Sequence, residues 1–591
     1  MRQHILATAL AAAVTALAYG QNLNPTVEVT NAYESGASSI AKPAQQMAVP
    51  DTVTRFNLDF DYSVFEKPYQ GAYEFSPYYV QLKPAPKAST TEKFYLRAGA
   101  GFTLHPELDL VFTPVQKDKY RMSIYATHQS YFGRYHDFTL GTVQDGIIPI
   151  VQDGKMNGYL ADTKAGIDGV YNWDGGLASL DLGFKNRMAD NAYRYQKMSG
   201  LEAKARVRAL PSDDPHFHYD AAIDYSLLGG DLSELQGITA DFRESKFSLA
   251  GELGPVLEGG SRVLVGMNVD LARYMGDFTG YTGIMAVTPK YQFTLDRWRF
   301  SLGARLSWTI YSEDYNVWGE SLRHKSGFIY PDVRVDFHLL DDQLVLQAAA
   351  TGGDRFNTLS GQFFSHPFDY TGRTTHYGHS LERVRAMIGA RGNIASRFRY
   401  DLQGGYARWT YAPTESLARF VFSYIDPASA ASDELHTPIL LEQAIMRSFQ
   451  CEKGFNLLFA DFDYGWKSES VTVDGRLSYR HSNVSGSGAL APAAFTGFIR
   501  PAYNYGERMK GGLDIAWSTG RKATFGDDYE VMTDAWRIPG WVDLGLFAEY
   551  RFTRQFGFWA KGGNLLDQVV HKTPLQAEAG MYFTAGIVLN F

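Results

Sequence analysis

Apolar and polar side chains alternate with a period of two residues along most of the chain. Between residues 541 and 552 one face is apolar and the other carries Asp543, Glu549 and Arg551. Residues 331–339 repeat the alternation, again with a charge at every second position. This period predicts β-strands. Because so many charges exclude a dry core, we expect the polar face of each strand to meet water and the apolar face to meet lipid.

The number and spacing of these segments favour a closed barrel over a β-sandwich. A sandwich explains any single alternating strand, but not a long series of strands joined only by turns and loops. Short connections such as 396–397 and 553–555 alternate with long ones such as 354–380 and 412–455. In outer-membrane barrels, short turns face the periplasm and long loops face the exterior. We therefore predict an all-β fold, a transmembrane antiparallel β-barrel of 22 strands within residues 92–591.

The N-terminus has the pattern of a secretory signal. A basic start is followed by the apolar run 5–18, which is too short to span a bilayer, and Ala18-Tyr19-Gly20 offers a small-x-small cleavage site. Residues 1–20 are therefore expected to be cleaved after export through the inner membrane of a Gram-negative cell. This leaves residues 21–91 as an N-terminal periplasmic or lumenal segment before the barrel.

The final strand pattern, residues 581–591, is apolar at alternate positions and ends on Phe591. A terminal aromatic residue suits a strand that closes a barrel at the lipid interface, and Phe591 is the expected signal for the barrel-assembly machinery. The composition agrees, because 14% aromatic residues and 57 glycines fit a wall of alternating strands. The single cysteine, Cys451, excludes an internal disulfide and a cysteine-based metal cluster.

The C-terminal region resembles that of TonB-dependent receptors of the outer membrane. The resemblance rests on Gly563-Asn564-Leu565-Leu566-Asp567, on the preceding aromatic stretch 556–560 and on the Phe-ending strand. Residues 108–131 are similar to the early hairpins of the same family, and the length and spacing are similar to outer-membrane proteins of the Bacteroidota. The resemblance implies a 22-stranded barrel and a transport function. The family's barrel is preceded by a globular plug, and residues 21–91 are too few for one.

Two features of the N-terminal segment bear on transport. Thr26, Val27, Glu28, Val29 and Thr30 resemble a TonB box, the strand that recruits the energising partner TonB, although an ordinary extended tail has the same pattern. The segment also concentrates aromatic residues between 56 and 79. A wide barrel needs something to close it. We expect these aromatic side chains to pack inside the lumen as a stopper, with docking on a periplasmic partner as the alternative and inward-folded loops as a further closing element.

Arginine side chains on the predicted lumenal face are the candidate functional residues. They form a possible charge ladder that attracts anions and tunes the selectivity of a pore. Acidic side chains on the same face, Asp332, Asp336, Asp401 and Glu549, offer the alternative of mixed ion pairs that stiffen the wall. The predicted ladder comprises Arg206, Arg208, Arg334, Arg383, Arg385, Arg391 and Arg399.

The sequence offers little for metal, catalytic or nucleic-acid chemistry. His216 and His218 follow Asp213 and Asp214, a spacing that suits a divalent metal but also a solvated turn, which we favour. No nucleophile motif accompanies the scattered histidines, so we expect no catalytic residues, no metal, no cofactor and no enzymatic activity. The net charge of −8 gives no support to nucleic-acid binding.

Two functions remain open. The first is solute transport across the outer membrane, as a porin-like or receptor-like barrel controlled by a gate or a partner. The second is a non-transporting barrel subunit of an outer-membrane complex for barrel assembly or surface-lipoprotein export. Either function places the protein among outer-membrane lipids, and TonB or other surface and periplasmic proteins are possible partners.

Overall fold

A computed structural model describes most of the chain from Lys93 to Phe591. The described ranges are 93–117, 119–140, 150–190, 195–210, 216–233, 239–277, 279–312, 328–340, 342–365, 379–410, 412–424, 439–451, 454–484, 489–506, 508–524, 536–572 and 578–591. The predicted signal (1–20), the N-terminal segment (21–91) and the TonB-box-like residues (26–30) lie outside them. No helix in these ranges is long and apolar enough to cross a membrane.

Twenty-two antiparallel strands form one closed sheet. They are β1 (Phe94–Phe102), β2 (Glu107–Gln116), β3 (Tyr120–Leu140), β4 (Ile150–Trp173), β5 (Gly176–Asp190), β6 (Tyr195–Ala209), β7 (Phe217–Ser233), β8 (Thr239–Pro255), β9 (Arg262–Gly276), β10 (Gly280–Leu295), β11 (Trp298–Tyr311), β12 (Phe328–Leu340), β13 (Leu344–Arg355), β14 (Ser380–Ile394), β15 (Phe398–Thr410), β18 (Phe455–Lys467), β19 (Val471–Ser482), β21 (Phe495–Tyr505), β22 (Met509–Ser518), β25 (Trp541–Arg551), β26 (Phe556–Gly563) and β27 (Tyr582–Asn590).

The last strand closes the ring against the first. On β1 and β27, Tyr95 lies opposite Asn590 and Phe102 lies opposite Phe583. Each strand otherwise pairs with its nearest barrel neighbour along the chain, so every barrel strand has a partner on both sides and no edge is left in the wall. The predicted all-β barrel of 22 strands is confirmed.

Five further strands stand apart from the wall. They are β16 (Ala412–Tyr424), β17 (Ile439–Cys451), β20 (Ala489–Leu490), β23 (Arg521–Thr524) and β24 (Trp536–Ile538), which form a second sheet at the end of the barrel that carries the long connections. The connection 412–455, which the sequence pattern indicates only as a long loop, therefore contains a hairpin. Its two strands pair with each other, and β16 also pairs with β20, instead of extending the barrel.

Two helical segments complete the described structure. A 3-10 helix, Glu258–Gly260, lies in the short turn between β8 and β9, where Gly259 and Gly260 have φ angles of 80° and 77°. These left-handed conformations favour glycine. The α-helix α1 (Leu359–Ser365) lies in the long connection between β13 and β14.

The two faces of the wall differ in polarity. On the apolar face the side chains of Leu201 and Ile388 are 63% and 72% exposed. The charged side chains between them along the strands are mostly half-buried and bridge adjacent strands. A closed barrel crowds side chains on its concave face, so the charges line the lumen and the apolar side chains point to lipid. Stacked aromatic rings mark the end with the short turns, including Trp298 on Phe337 with centroids 4.4 Å apart.

An arginine on the lipid face provides a test of this orientation. We expect Ile388→Arg, near the middle of β14, to reduce the free energy of unfolding by about 2–4 kcal/mol, since the guanidinium must enter hydrocarbon. Leu340→Arg is the matched control, because Leu340 is also exposed but lies at the end of β12 beside a short turn; its expected cost is about 0–1 kcal/mol. Denaturant titration of the protein folded in lipid vesicles measures both. Equal costs would place Ile388 outside the hydrocarbon.

Candidate functional site

The predicted charge ladder is split between two parts of the lumenal wall. Arg206 and Arg208 lie on β6, whereas the other five arginines lie on β12, β14 and β15. Strands β7 to β11 separate the two groups. The structure thus brings Arg334 and Arg391 near one another through β12 to β14, but it does not bring the seven side chains into one continuous row.

Several of these arginines pair with acidic side chains on the same strand or up to two strands away. Arg206 Nε donates to Asp220 Oδ1 over 2.8 Å, and Arg391 donates to Asp336 Oδ2 over the same distance. The guanidinium of Arg334 lies 3.3 Å from Asp332. In these contacts Asp332 and Asp336 form ion pairs with lumenal arginines, which is the arrangement expected under the alternative to a charge ladder. The role of the arginines in anion selectivity stays a prediction.

The remaining predicted residues have other surroundings. Arg383 is exposed and its Nε donates to Thr410 Oγ1 over 3.0 Å. Asp401 accepts from Gln347 over 3.3 Å and lies opposite Arg391 in the strand register. In the strand register, Arg208 lies opposite Asp220 and Arg399 lies opposite Gly465. The carboxylate of Glu549 accepts a hydrogen bond from Arg551 over 2.8 Å.

A β-bulge in β14 creates an ion-pair cluster that the alternation does not predict. The strand register shifts between Glu382 and Val384, so the strict inside-outside order breaks there. The fully buried carboxylate of Glu382 accepts from Arg355 over 2.6 Å and from Arg385 over 2.7 Å. The period-two pattern puts Glu382 on the lipid face with Val384, whereas the bulge turns it toward the lumen.

A short segment leaves β13 and runs across the lumen. This crossing segment comprises residues 356–365 and includes α1. Nine positions after Arg355, the carbonyl oxygen of Phe364 accepts a hydrogen bond from Arg187 on β5. Seven strands, β6 to β12, lie between β5 and β13 in the wall. So few residues cannot follow the wall along that whole arc, and the segment therefore leaves the wall after β13, cuts across one side of the lumen and meets the wall again from β9 to β5.

Apolar contacts hold the crossing segment against the wall. Leu359 and Phe363 of α1 are 2% and 0% exposed, and they pack on five buried side chains. These wall residues come from four adjacent strands: Met198 (β6), Leu228 (β7), Phe242 (β8), and Ala272 and Tyr274 (β9). Such a cluster excludes water from one side of the helix, and its burial stabilises the inward position.

Polar contacts fix the segment at three points. Glu244 on β8 is fully buried, and its carboxylate accepts from the backbone nitrogen of Ser360 over 3.0 Å and from the Ser360 hydroxyl. Lys185 places its ammonium 3.5 Å from the ring centroid of Phe364, a cation–π contact. At the β13 side, Asn357 Nδ2 donates to Ser380 Oγ over 2.7 Å. The segment is thus held at both ends and in its middle.

The sequence contained a partial signal for this segment. Leu359 and Phe363 are four residues apart, the spacing of one helix face, within a connection that also contains three further phenylalanines. The pattern does not show that the helix folds inward, because its partners lie on distant strands: Tyr274 is 85 residues before Leu359, and Glu244 is 116 residues before Ser360.

A second cluster spans the seam where β1 meets β27. The ammonium of Lys561 on β26 pairs with Glu107 on β2, although two strands lie between them. His105 Nε2 lies 2.9 Å from the same carboxylate. Gly99 on β1 leaves room for side chains that reach across the seam, because it has no side chain of its own. A Cβ added at Gly99 would lie 2.5 Å from Trp559 Cζ2.

The Gly563–Asp567 motif organises the connection that follows β26. Asn564 is 3% exposed and its Nδ2 donates to the carbonyl oxygens of Gln568 and Ala579 over 2.7 and 3.1 Å. In the same connection, the carbonyl oxygen of His571 accepts from Trp541 Nε1 over 3.0 Å. Burial lowers the pKa of the His571 side chain to about 4, so this imidazole is neutral at neutral pH. The motif therefore has a structural role here.

Metal chemistry gains no support from the described residues. His218 Nε2 lies 3.9 Å from Glu252 Oε1, whereas His216 is exposed and Asp213 and Asp214 lie outside the described residues. Within the ranges that the structure describes, no group of three or more histidine, cysteine, aspartate or glutamate side chains is placed to hold a metal ion.

The structure is similar to solved receptors and transporters. The siderophore receptor PirA from Acinetobacter baumannii matches 85% of this chain and 81% of its own, with 10% identity and a TM-score of 0.56. The FrpB iron transporter from Neisseria meningitidis matches 85% and 82%, with 8% identity and a TM-score of 0.61. The copper transporter OprC matches 85% and 82%, with 12% identity and a TM-score of 0.54. No protein-family model and no curated protein matches the sequence. At these identities the likeness concerns the fold alone.

Proposed function

We propose that this protein is an integral outer-membrane transporter and that a solute crosses the membrane through its lumen. The observation that carries the proposal is the sidedness of the closed wall, which is apolar toward lipid and charged toward the lumen. A polar interior supports water and polar solutes, which a sealed structural barrel does not need. Similarity in fold to a siderophore receptor, an iron transporter and a copper transporter is consistent with transport and supplies no substrate.

The N-terminal segment bears on how the lumen is closed and on how transport is driven. We propose that residues 21–91 act in place of a receptor plug, as a gate on the lumen or as a docking segment for a periplasmic partner. Thr26, Val27, Glu28, Val29 and Thr30 remain the predicted contact with TonB. The outer membrane, with Phe591 read by the barrel-assembly machinery, is the proposed location.

Purification followed by conductance measurement tests the proposal. The tagged protein is extracted from its native membrane in mild detergent, its stable partners are identified, and the pure barrel is inserted into planar bilayers. We expect discrete conductance steps that added solute can block. A stoichiometric complex whose barrel does not conduct would instead support the alternative, a structural subunit of an outer-membrane complex.

Removal of residues 21–91, with the signal kept, tests the gating role separately. If this segment closes the lumen, the shortened protein should conduct more than the full chain, because one obstruction has gone while the wall is unchanged. Insertion of equal amounts of folded protein is checked by its resistance to unfolding in cold detergent. Identical conductance of the two proteins would show that the segment does not close the lumen.

A further inference from the structure

We propose that the crossing segment, residues 356–365, is a fixed constriction that sets the size limit of the passage and presents an uncharged polar surface to the solute. The inference rests on the proposed transport function and adds the place where solutes are selected. It also assigns the selection made by this segment to size and hydrogen bonding, because residues 356–365 include no charged side chain.

The anchoring of the segment argues for a fixed element. Displacing α1 from the wall would expose Leu359 and Phe363 to water and would remove the hydrogen bonds that the buried carboxylate of Glu244 accepts from Ser360. It would also break the contacts of Phe364 with Lys185 and Arg187 on β5. A segment held by apolar burial and by satisfied buried polar groups at once is expected to stay in place while solute passes.

The surface of the segment that points away from the wall carries no charge. Leu359, Ser360 and Phe363 are buried against the wall, whereas Gly361 is exposed and Gln362 is half-buried. The hydroxyl of Ser365, a half-buried residue, donates to the carbonyl oxygen of Gly361 over 2.7 Å. Around Gly361 the segment therefore offers a solute uncharged hydroxyl and backbone groups, whereas the Nε2 of Gln362 is buried. Neutral hydrogen-bonding groups of this kind suit uncharged polar solutes.

Gly361 is the exposed position at which this surface can be altered. A Cβ added there would have one close neighbour, the Thr358 hydroxyl at 3.0 Å, which must shift by a few tenths of an ångström. We expect Gly361→Lys to shift the reversal potential in a salt gradient toward anion preference and Gly361→Asp to shift it toward cation preference. Gly361→Trp should lower the conductance and reduce the largest polyethylene glycol that enters the pore. A substitution that affected only the stability of the barrel would not shift the reversal potential in opposite directions for lysine and aspartate.

Gly175 provides the matched control. It is exposed in the short turn between β4 and β5, and an added Cβ would lie no closer than 3.9 Å to another side chain, that of Trp173. The same three substitutions at Gly175 should leave conductance, reversal potential and polymer exclusion close to those of the unaltered protein. This comparison separates an effect at the constriction from an effect of added bulk or charge anywhere on the barrel.

Chemical modification after folding removes any dependence on how the variants fold. In a Cys451→Ser background, Gly361→Cys is inserted into a bilayer and then treated with a cationic thiol reagent. We expect the conductance to fall and the reversal potential to move toward anion preference, with no change for Gly175→Cys. If the unaltered protein conducts and the Gly361 variants behave as the Gly175 variants do, the constriction is elsewhere and the inference is wrong. If neither the unaltered protein nor the form without residues 21–91 conducts, the proposed function itself fails.

Discussion

Replacing Glu382 by glutamine is expected to reduce the free energy of unfolding of the barrel by about 3–5 kcal/mol, the cost of leaving buried charges unpaired. The carboxylate is fully buried and lies between Arg355 and Arg385, at 2.6 and 2.7 Å. An amide of the same shape keeps one acceptor but carries no charge, so two buried guanidinium groups lose their counter-charge. Because Arg355 immediately precedes the crossing segment, we also expect the substitution to loosen its β13 side.

Asp220→Asn is the matched control for Glu382→Gln. Asp220 also pairs with an arginine, Arg206, but the two side chains are 21% and 29% exposed. Water screens this pair, and its expected contribution is about 0–1 kcal/mol. Both variants are measured by denaturant titration in lipid vesicles and by the temperature at which the folded band is lost on detergent gels. A Glu382→Gln protein no less stable than Asp220→Asn would show that the Glu382 cluster is solvated.

Replacing Glu107 by glutamine should weaken the closure of the barrel. The side chains of Lys561 and Glu107 are each 7% exposed, and their ion pair joins β26 to β2 across the seam. The substitution leaves the Lys561 ammonium buried beside a neutral amide, for which about 3–5 kcal/mol is the expected loss. The seam should then open at a lower temperature than any other part of the wall, which hydrogen exchange of the β1 and β27 amides would detect.

A second substitution identifies the origin of that loss. In the double variant Glu107→Gln/Lys561→Met the uncompensated ammonium is gone, so the stability should recover in part. Glu202→Gln is the control within the wall, since the Glu202–Lys185 pair is longer, at 3.5 Å, and its side chains are 25% and 20% exposed. If the double variant is as unstable as Glu107→Gln alone, the loss comes from the carboxylate's other contacts, with His105 and Arg97, and the ion pair with Lys561 contributes little.

The sequence by itself determined the barrel. Lipid outside and water inside impose a period of two on every strand, and this rule is local, so it can be read from stretches such as 201–209 and 541–552 without knowing their neighbours. The order of short and long connections follows from the same constraint. It led to the 22 strands that the structure has, including the closure of Phe591's strand against the first.

The tertiary structure alone decided what the lumen contains. The pairing of Lys561 with Glu107 joins residues far apart in the chain, and the turn of Glu382 toward the lumen follows from a bulge that alternation cannot show. The crossing segment is the largest such feature: the sequence marks Leu359 and Phe363 as one helix face but does not say which surface covers it. That surface, with Glu244 at its centre, exists only once four separate strands have been brought side by side. Contacts of this kind depend on long-range packing, and no local period encodes them.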